Sequence, residues 1–286
     1  MFGYRRQAYY KRKQAEIAEI ELQQLVVSMV MEIRIRMPRL GVRKLYHILR
    51  SDFENQSIKI GRDKLFKILR ANNLLVKPKK NYQKTTNSKH WLKKYKNKIK
   101  ALEITQPEQV LVADITYINT HEGHNYLSLV TDAYSKKIMG YNLADNMRAK
   151  ESEKALIMAI QNFKYKNRQT IHHSDRGLQY CSSEYQEILN KNKIKPSMTE
   201  AYDPYENAIA ERVNGILKNE FNLDQSFYNH LQAEKVVEDV IEIYNNQRPH
   251  MSCNYLTPEQ MHNQKKIKRK KWKNKTSKVM TLEVKY

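Results

Sequence analysis

Apolar positions change their period along this chain, and the changes predict where helices and strands lie. Between residues 17 and 33, apolar side chains recur at spacings of three and four, the period of one face of an α-helix. Pro38 predicts the end of that helix, because the prolyl ring disfavours helical backbone before it. The apolar stripe would either pack on the chain's own first domain or form a seam between two copies.

A repeated heptapeptide follows this helix. Residues 44–50 (KLYHILR) recur as residues 64–70 (KLFKILR), and a glycine precedes each copy at the same offset. Two short amphipathic helices at this spacing indicate a helix-turn-helix-like pair, whose cations could neutralise DNA phosphates. A small helical bundle without a nucleic-acid role is the alternative. The candidate DNA contacts in this region are Arg43, Lys44, Arg50, Arg62, Lys64, Lys67 and Arg70, of which Arg43, Arg62 and Lys64 are the chosen site residues.

From residue 110 the period becomes that of β-strands. Residues 110–119 are almost continuously apolar apart from Asp114 and Thr116, which is typical of a strand covered on both faces. The alternation that follows predicts an α/β fold, a mixed five-stranded sheet flanked by helices. The predicted elements are strands at 110–119, 126–131 and 138–143, a helix at 150–163, a strand at 169–173, a helix at 182–191, a strand at 194–198 and a helix at 208–221.

The charge of the chain indicates a polyanionic partner. Its 286 residues carry a formal net charge of +22 and are 40% apolar, as in a globular protein that binds nucleic acid. Residues 1–104 hold 26 lysines and arginines against 8 acids, residues 105–225 hold 14 against 16, and residues 226–286 hold 12 against 6. Basic flanks would contact phosphates while the near-neutral centre performs chemistry. A basic surface that only keeps the chain soluble is the alternative.

Two basic segments flank the central region. Residues 77–100 contain ten lysines among aromatic residues, which suits a strand draped along a DNA backbone or a solvated tether. Residues 265–275 hold eight cations in eleven positions, typical of a segment that becomes ordered on a polyanion. The predicted organisation is a helix-turn-helix-like domain at 1–76, a basic linker at 77–104, a catalytic core at 105–225, and a C-terminal helix with a basic tail at 226–286.

Signals for a membrane or an oxidising compartment are not evident in the pattern. The longest strongly apolar run, residues 25–31, has seven residues, whereas about 20 are needed to span a bilayer. Cys181 and Cys253 have neither zinc-site spacing nor a disulfide framework around them. A cytoplasmic, nucleoid-associated protein is therefore expected.

Three carboxylates from separate predicted elements are candidates for a catalytic metal site. Asp114 lies within a predicted buried strand, where an acid is costly unless it is hydrogen-bonded, paired or bound to metal. Asp175 follows a predicted strand on a Ser-Asp-Arg-Gly turn, and Glu211 lies in a predicted helix beside small residues that let it approach the sheet. Carboxylate oxygens suit hard divalent cations. A carboxylate satisfied by backbone donors is the alternative for Asp114.

Other polar residues near these acids receive supporting roles. Asp132 is interpreted as a turn or strand-end residue and Glu206 as a cap or loop-shaping residue. His172 and His173 lack a Cys or His cluster for zinc, so a role in orienting the catalytic loop or contacting DNA is expected. Further candidate DNA contacts are Asn214 and Lys218, on the helix face of Glu211, together with His173, Arg176 and Arg248.

The combined motifs resemble a known family. Asp114, Asp175 and Glu211, with 35 residues between the last two, are similar to the Asp-Asp-(35)-Glu signature of retroviral-type integrase cores. The surrounding strings, Leu-Val-Ala-Asp-Ile-Thr-Tyr-Ile, His-Ser-Asp-Arg-Gly-Leu-Gln-Tyr, Asn-Ala-Ile-Ala-Glu and Tyr-Asn-Asn-Gln-Arg-Pro-His, resemble those of bacterial insertion-sequence transposases made by frameshifting. The chain resembles the second-frame product over nearly its whole length. It departs at Glu206, where Asp is usual, and at Leu178, where Ser is usual.

This resemblance implies an RNase H-like fold and a DNA transposase. Such an enzyme would cleave element ends and join the 3′-hydroxyl to DNA by two-metal phosphoryl transfer, with two Mg²⁺ or Mn²⁺ ions on the three acids and Lys218 on DNA. The implied partners are double-stranded DNA, further copies of the chain on DNA, and a first-frame helix-turn-helix segment. A nuclease of the same fold that cuts without joining and a non-catalytic DNA-binding regulator remain the alternatives.

Overall fold

The structure is a computed structural model that describes residues 6–77, 92–100, 102–165, 168–200 and 207–264. The helices of these ranges are α1 (Arg6–Arg36), α2 (Val42–Asn55), α3 (Arg62–Ala71), α4 (Ala149–Gln161), α5 (Leu178–Cys181), α6 (Ser183–Lys191), α7 (Ala208–Glu220), α8 (His230–Asn246) and α9 (Pro258–Asn263). The strands are β1 (Val110–Thr120), β2 (Gly123–Asp132), β3 (Ile138–Ala144), β4 (Ile171–Ser174), β5 (Lys195–Met198) and β6 (Ser226–Phe227). The predicted order of elements in the central region is confirmed, with boundaries that differ by a few residues.

The sheet is mixed, with its main strands in the order β3, β2, β1, β4, β5. β1 pairs antiparallel with β2 and parallel with β4, and β4 pairs parallel with β5. The tight connection between β1 and β2 depends on Gly123, whose φ of 129° is a conformation that glycine adopts readily. The five-stranded mixed sheet is therefore confirmed. The two-residue β6 adds a sixth strand beside the far end of β1.

Helices cover both faces of the sheet. Neighbouring residues of a strand point to opposite faces, so β1 packs against different helices on its two sides. Leu111 and Ala113 of β1 pack with buried residues of α4 and α6. Ile118 of β1 packs on the other side with α7 and α8. Asp114 lies four residues before Ile118 in β1, so its side chain points to the same face of the sheet, which α7 covers. At Gly140 of β3, an added Cβ would lie 2.1 Å from a backbone oxygen of α4, so a larger residue does not fit.

The N-terminal helices pack on the central region through a shared hydrophobic cluster. Val26, Val30 and Ile33 of α1 lie in one cluster with side chains of α2, α3, α7 and α8. The first half of α1 is different, since Ile17 is 49% exposed and Ile20 is 54% exposed. The apolar stripe thus packs on its own chain over its later half, and a seam with a second copy stays a prediction for the first half.

The last part of the predicted linker also packs on the sheet. The amide of Lys98 donates to Ser197 Oγ at 2.9 Å, and the amide of Asn97 donates to Glu200 Oε1 at 3.0 Å. A solvated tether is therefore the wrong description of residues 92–100. The remainder of the linker at residues 78–91 and the basic tail at 265–275 lie outside the described residues. In the ranges that are described, a helix with the length and apolarity to cross a bilayer was not found.

A buried cluster of two acids and a histidine fastens α9 to the sheet. His262 Nε2 lies 3.2 Å from Glu108 Oε1, and His262 Nδ1 lies 3.1 Å from Ser135 Oγ and 3.8 Å from Asp132 Oδ1. Asp132 also accepts hydrogen bonds from the amide and hydroxyl of Ser135 and from the amide of Glu108. The interpretation of Asp132 as a strand-end and turn residue is confirmed.

This cluster makes stability depend on pH. Burial lowers the pKa of His262, but hydrogen bonds with Asp132 and Glu108 outweigh burial and raise its pKa above the ordinary value of 6.5. A histidine whose pKa is higher in the folded state than in the unfolded state stabilises the fold. This contribution is complete below the unfolded-state pKa of 6.5 and is lost as the pH rises through the folded-state pKa. We therefore expect the stabilisation of the wild type relative to His262→Gln, measured as a difference in melting temperature, to be largest below pH 6.5 and to shrink as the pH rises across this interval. Calorimetry that gives parallel profiles for the two proteins would contradict this expectation.

Candidate active site

Asp114 lies in β1, and Asp175 directly follows the end of the neighbouring strand β4 at the same level. β1 and β4 run parallel with Val112 opposite His173, and each acid follows that pair by two residues. β4 ends at Ser174 while β1 continues, so the sheet opens between the two strands where the acids lie. The carboxyl ends of parallel strands are where open α/β sheets bind ligands.

A tight turn holds Asp175 in place. The amide of Gly177 donates to Asp175 Oδ1 at 2.9 Å, and an added Cβ at residue 177 would lie 3.0 Å from the same oxygen. Ser174 Oγ donates to the backbone oxygen of Asp175 at 2.9 Å. The Ser-Asp-Arg-Gly string therefore forms a turn that fixes the direction of the Asp175 carboxylate.

Asp114 accepts a hydrogen bond from α7, and the nearby charge of Asp175 raises its pKa. Asn214 Nδ2 donates to Asp114 Oδ2 at 2.7 Å, and the amide of Ile115 donates to Oδ1 at 3.0 Å. Burial and the charge of Asp175 raise the pKa of Asp114 to about 7, against the effect of these two hydrogen bonds, and Glu211 adds to the rise. Carboxylates that repel each other in this way attract a cation that would neutralise them.

Glu211 lies in the first turn of α7. Four residues earlier, Asn207 Nδ2 donates to the backbone oxygen of Ala113 at 3.1 Å. Three residues later, Asn214 donates to Asp114. Positions at −4 and +3 share one helix face, so Glu211 lies between two residues that bond to the strand at the acid pair. Its side chain is exposed, where a substrate can reach it.

The three acids do not form a closed three-ligand cluster. Within the described ranges, no group of three or more His, Cys, Asp or Glu side chains is placed to hold one metal ion. The donor chemistry fits a hard divalent cation, because one carboxylate lies in β1 and a second lies directly after the adjacent strand β4. In addition, the buried Oδ1 atoms of Asn207 and Asn214 find no hydrogen-bond partner in the same ranges. The assignment of the acids as metal ligands stays a prediction, and Glu206 lies outside the described residues.

Two cations are placed near the acids. Burial lowers the pKa of Lys218, although the charges of Asp114 and Asp224 oppose that shift. Lys218 is therefore within electrostatic reach of Asp114, seven residues beyond Glu211 on α7. Arg176 is half-buried, and its Nε donates to the backbone oxygen of Thr199 at 2.5 Å. DNA contact by Lys218 and Arg176 stays a prediction.

The two histidines before Asp175 are buried. His172 Nε2 lies 2.9 Å from the hydroxyl of Tyr185 on α6, and His173 Nδ1 lies 2.9 Å from Ser197 Oγ on β5. Burial, with the charge of His173, lowers the pKa of His172 to about 3, so its ring is neutral near pH 7. Because His173 is enclosed at 0% exposure, the predicted DNA contact is wrong for this residue. The role of the pair in orienting the catalytic loop stays a prediction.

Arg248 is buried as well. It is 1% exposed, and its Nε and Nη2 each donate to a carboxylate oxygen of Glu220 at 2.8 Å. The predicted DNA contact is therefore wrong for Arg248, because its charge is satisfied inside the protein. Asn214, 7% exposed and bonded to Asp114, likewise supports the acid and is not open to DNA. Glu220 is the residue that sequence reasoning missed, since an acid at a helix end carries no signal of burial.

The candidate DNA contacts of the N-terminal helices remain near the surface. Arg43 is exposed. Arg62 pairs with Asp63 at 2.8 Å, and Lys64 pairs with Glu19 at 2.9 Å. Solvated pairs of this kind are worth at most about 1 kcal/mol, so a phosphate could replace the acid. α2 and α3 thus form the predicted helical pair, and its contact with DNA stays a prediction.

Comparisons with known proteins identify the family. The integrase core domain matches residues 104–204, and a second integrase core domain family matches residues 192–258. The chain is 33% identical over 262 residues to an uncharacterised 31 kDa protein of insertion element IS600 from Shigella sonnei, covering 90% of this chain and 94% of that protein. It is 37% identical over 158 residues to the InsF transposase of insertion sequence IS3A from Escherichia coli. That match covers 55% of this chain and 54% of the transposase, about half of each.

A solved structure shares the fold. The chain is similar to a chain of the simian T-cell lymphotropic virus intasome in complex with PP2A regulatory subunit B56 gamma, with 17% identity and a TM-score of 0.50. The match covers 82% of this chain and 78% of that chain. It agrees with the RNase H-like arrangement of the sheet. Together with the relative aligned over nearly its full length, these matches show that the chain belongs to the integrase-core family of bacterial insertion-sequence transposases.

Proposed function

We propose that this protein is a DNA transposase that cleaves the ends of an insertion sequence and joins the freed 3′-hydroxyl to DNA by metal-dependent phosphoryl transfer. The observation that carries the proposal is the placement of Asp175, directly after β4, at the level of Asp114 in the adjacent parallel strand β1. α7 supports the same site, because Asn214 bonds to Asp114 and Glu211 lies three residues before Asn214 in the first turn. Carboxylate oxygens of this kind suit hard divalent cations.

The proposed roles divide between the cations and the protein. When bound, two divalent ions supply electrostatic stabilisation to the attacking and leaving oxygens of an in-line displacement. The protein orients the ligands, since Gly177 bonds to Asp175 and Asn214 bonds to Asp114. Lys218 would hold a phosphate of the DNA strand beside the acids. The proposed ligands of the ions, Mg²⁺ or Mn²⁺, are Asp114, Asp175 and Glu211.

Double-stranded DNA, as element end and as target, is the proposed partner. The net charge of +22 supports it, because cations that replace counterions on phosphates drive DNA binding. The same proposal includes two further partners, other copies of the chain on DNA and a first-frame helix-turn-helix segment. It also places the protein in the cytoplasm, associated with the nucleoid. The solved relative comes from an intasome, which agrees with assembly on DNA. The proposed DNA contacts are Lys218, Arg176, Arg43, Arg62 and Lys64.

A joining assay tests the proposal. It supplies a labelled duplex that carries the terminal sequence of the encoding element, with its 3′ end either uncut or already cut, together with a supercoiled plasmid and Mg²⁺ or Mn²⁺. We expect a joined product that requires the ion and disappears when EDTA is added. Cleavage without joining would instead identify a nuclease. Binding with neither reaction would identify a DNA-binding regulator.

A further inference from the structure

A buried triad of charges joins α7 to the N-terminal helices. Glu220, the last residue of α7, accepts hydrogen bonds from Arg248 and, at 2.7 Å, from Lys44 Nζ on α2. The Lys44 and Glu220 side chains are only 12% and 18% exposed. The amide of Arg39, between α1 and α2, also donates to the backbone oxygen of Glu220 at 3.0 Å. The N-terminal region thus bonds to both the side chain and the final carbonyl of α7.

The same helix carries the candidate active-site residues. Asn207 and Asn214 bond to the strand at Asp114, and Glu211 lies between them on the same face. α7 has 13 residues, so it is about 20 Å long. A hydrogen-bonded helix of this length moves as a unit, and a shift at Glu220 therefore shifts Glu211 as well.

Stability is a weak explanation for the triad. Burial and the charge of Arg248 lower the pKa of Lys44 to about 8 although Glu220 opposes the shift, so the charged amine is poorly solvated. Buried ion pairs often contribute no more stability than apolar residues of the same volume, and in some proteins they select one packing arrangement. The N-terminal helices and α7 also share a cluster of apolar side chains. The hydrophobic effect is non-directional, so this cluster would tolerate small shifts of the N-terminal helices against α7.

We propose that Glu220 and Lys44 are positioning residues, through which the N-terminal helices set the placement of α7 and hence of Glu211. This inference rests on the proposed function, because it assigns the residues a part in that reaction. It makes α1, α2 and α3 part of the catalytic apparatus as well as a candidate DNA-contacting surface.

The substitution Lys44→Met isolates the connection. Methionine fills a similar volume, and Glu220 keeps both hydrogen bonds from Arg248, so no buried carboxylate is left unpaired. Lys44→Arg restores a cation and serves as the rescue variant. Lys191→Met is the matched control, because Lys191 pairs with Glu187 at 2.8 Å on α6, in an exposed pair that does not involve α7.

Two measurements report on positioning. Hydrogen exchange without DNA follows the amides of α7, and the joining assay gives kcat and KM. For Lys44→Met we expect exchange in α7 to accelerate about tenfold. We expect kcat to fall by at least about tenfold with little change in KM, since a misplacement near 1 Å can cost on the order of 10²-fold. Lys44→Arg should recover both values, and the melting temperature of Lys44→Met should change by less than about 4 °C.

The outcomes separate this inference from the proposed function. Unchanged exchange in α7, or faster exchange with an unchanged kcat, would overturn the positioning role, as would equal losses in Lys191→Met. If the wild type joins no DNA with any divalent ion, the proposed function fails. The exchange data then decide alone, and acceleration confined to α7 would support the connection between Lys44 and that helix.

Discussion

Asp175→Asn is expected to abolish metal-dependent strand cleavage and joining while leaving DNA binding largely intact. The amide keeps the size of the side chain and an oxygen that can accept the hydrogen bond from Gly177, so the turn should persist. It removes the negative charge that a hard divalent cation requires. Loss of several kcal/mol of transition-state stabilisation corresponds to a fall in rate of roughly 10³-fold or more.

The joining assay and a DNA-binding measurement by fluorescence anisotropy check this expectation together. Asp239→Asn is the matched control, because Asp239 is an exposed acid on α8. Joining by Asp175→Asn at the wild-type rate would refute the assignment of the acid pair. Glu211→Gln in the same assay decides whether the third acid takes part, since the structure leaves it beside the pair without closing a cluster.

Arg248→Met is expected to destabilise the fold by about 3 kcal/mol, the lower end of the range for breaking a buried ion pair, because Glu220 loses both bonds from Arg248 and keeps the one from Lys44. Burial raises the pKa of Glu220, and Arg248 followed by Lys44 lowers it overall, so the acid is ionised in the folded state. Without the guanidinium, the Glu220 carboxylate still accepts the hydrogen bond from Lys44 Nζ. The affinity of the folded protein for DNA should stay unchanged, since Arg248 does not reach the surface.

Urea denaturation at fixed pH measures this effect, with Arg43→Ala for comparison. Arg43 is exposed, so its loss should change stability by no more than about 0.5 kcal/mol. If Arg43 contacts phosphate, its loss should also weaken DNA binding and reduce the dependence of affinity on salt. A stable Arg248→Met protein that fails to bind DNA would instead restore the contact predicted from the Arg-Pro-His string.

Arg248 and His173 illustrate why sequence reasoning misjudged some of the site. Arginines are mostly exposed in proteins, so an arginine in a basic protein with a DNA-binding motif reads as a phosphate contact. Its partner Glu220 lies 28 residues earlier at the end of a helix, and no local pattern connects the two. His173 similarly depends on Ser197, which belongs to another strand.

The sequence by itself determined the alternation of strands and helices, the end of α1 before Pro38, and the three acids as candidates. These follow from apolar periodicity, backbone preference and short strings, which are local properties. Only the tertiary structure decided that Asp175, directly after β4, lies at the level of Asp114 in β1, and that the N-terminal helices share a core and an ion triad with α7. Strand register and buried charge pairing depend on residues far apart in the chain, so they exist only once the chain has folded.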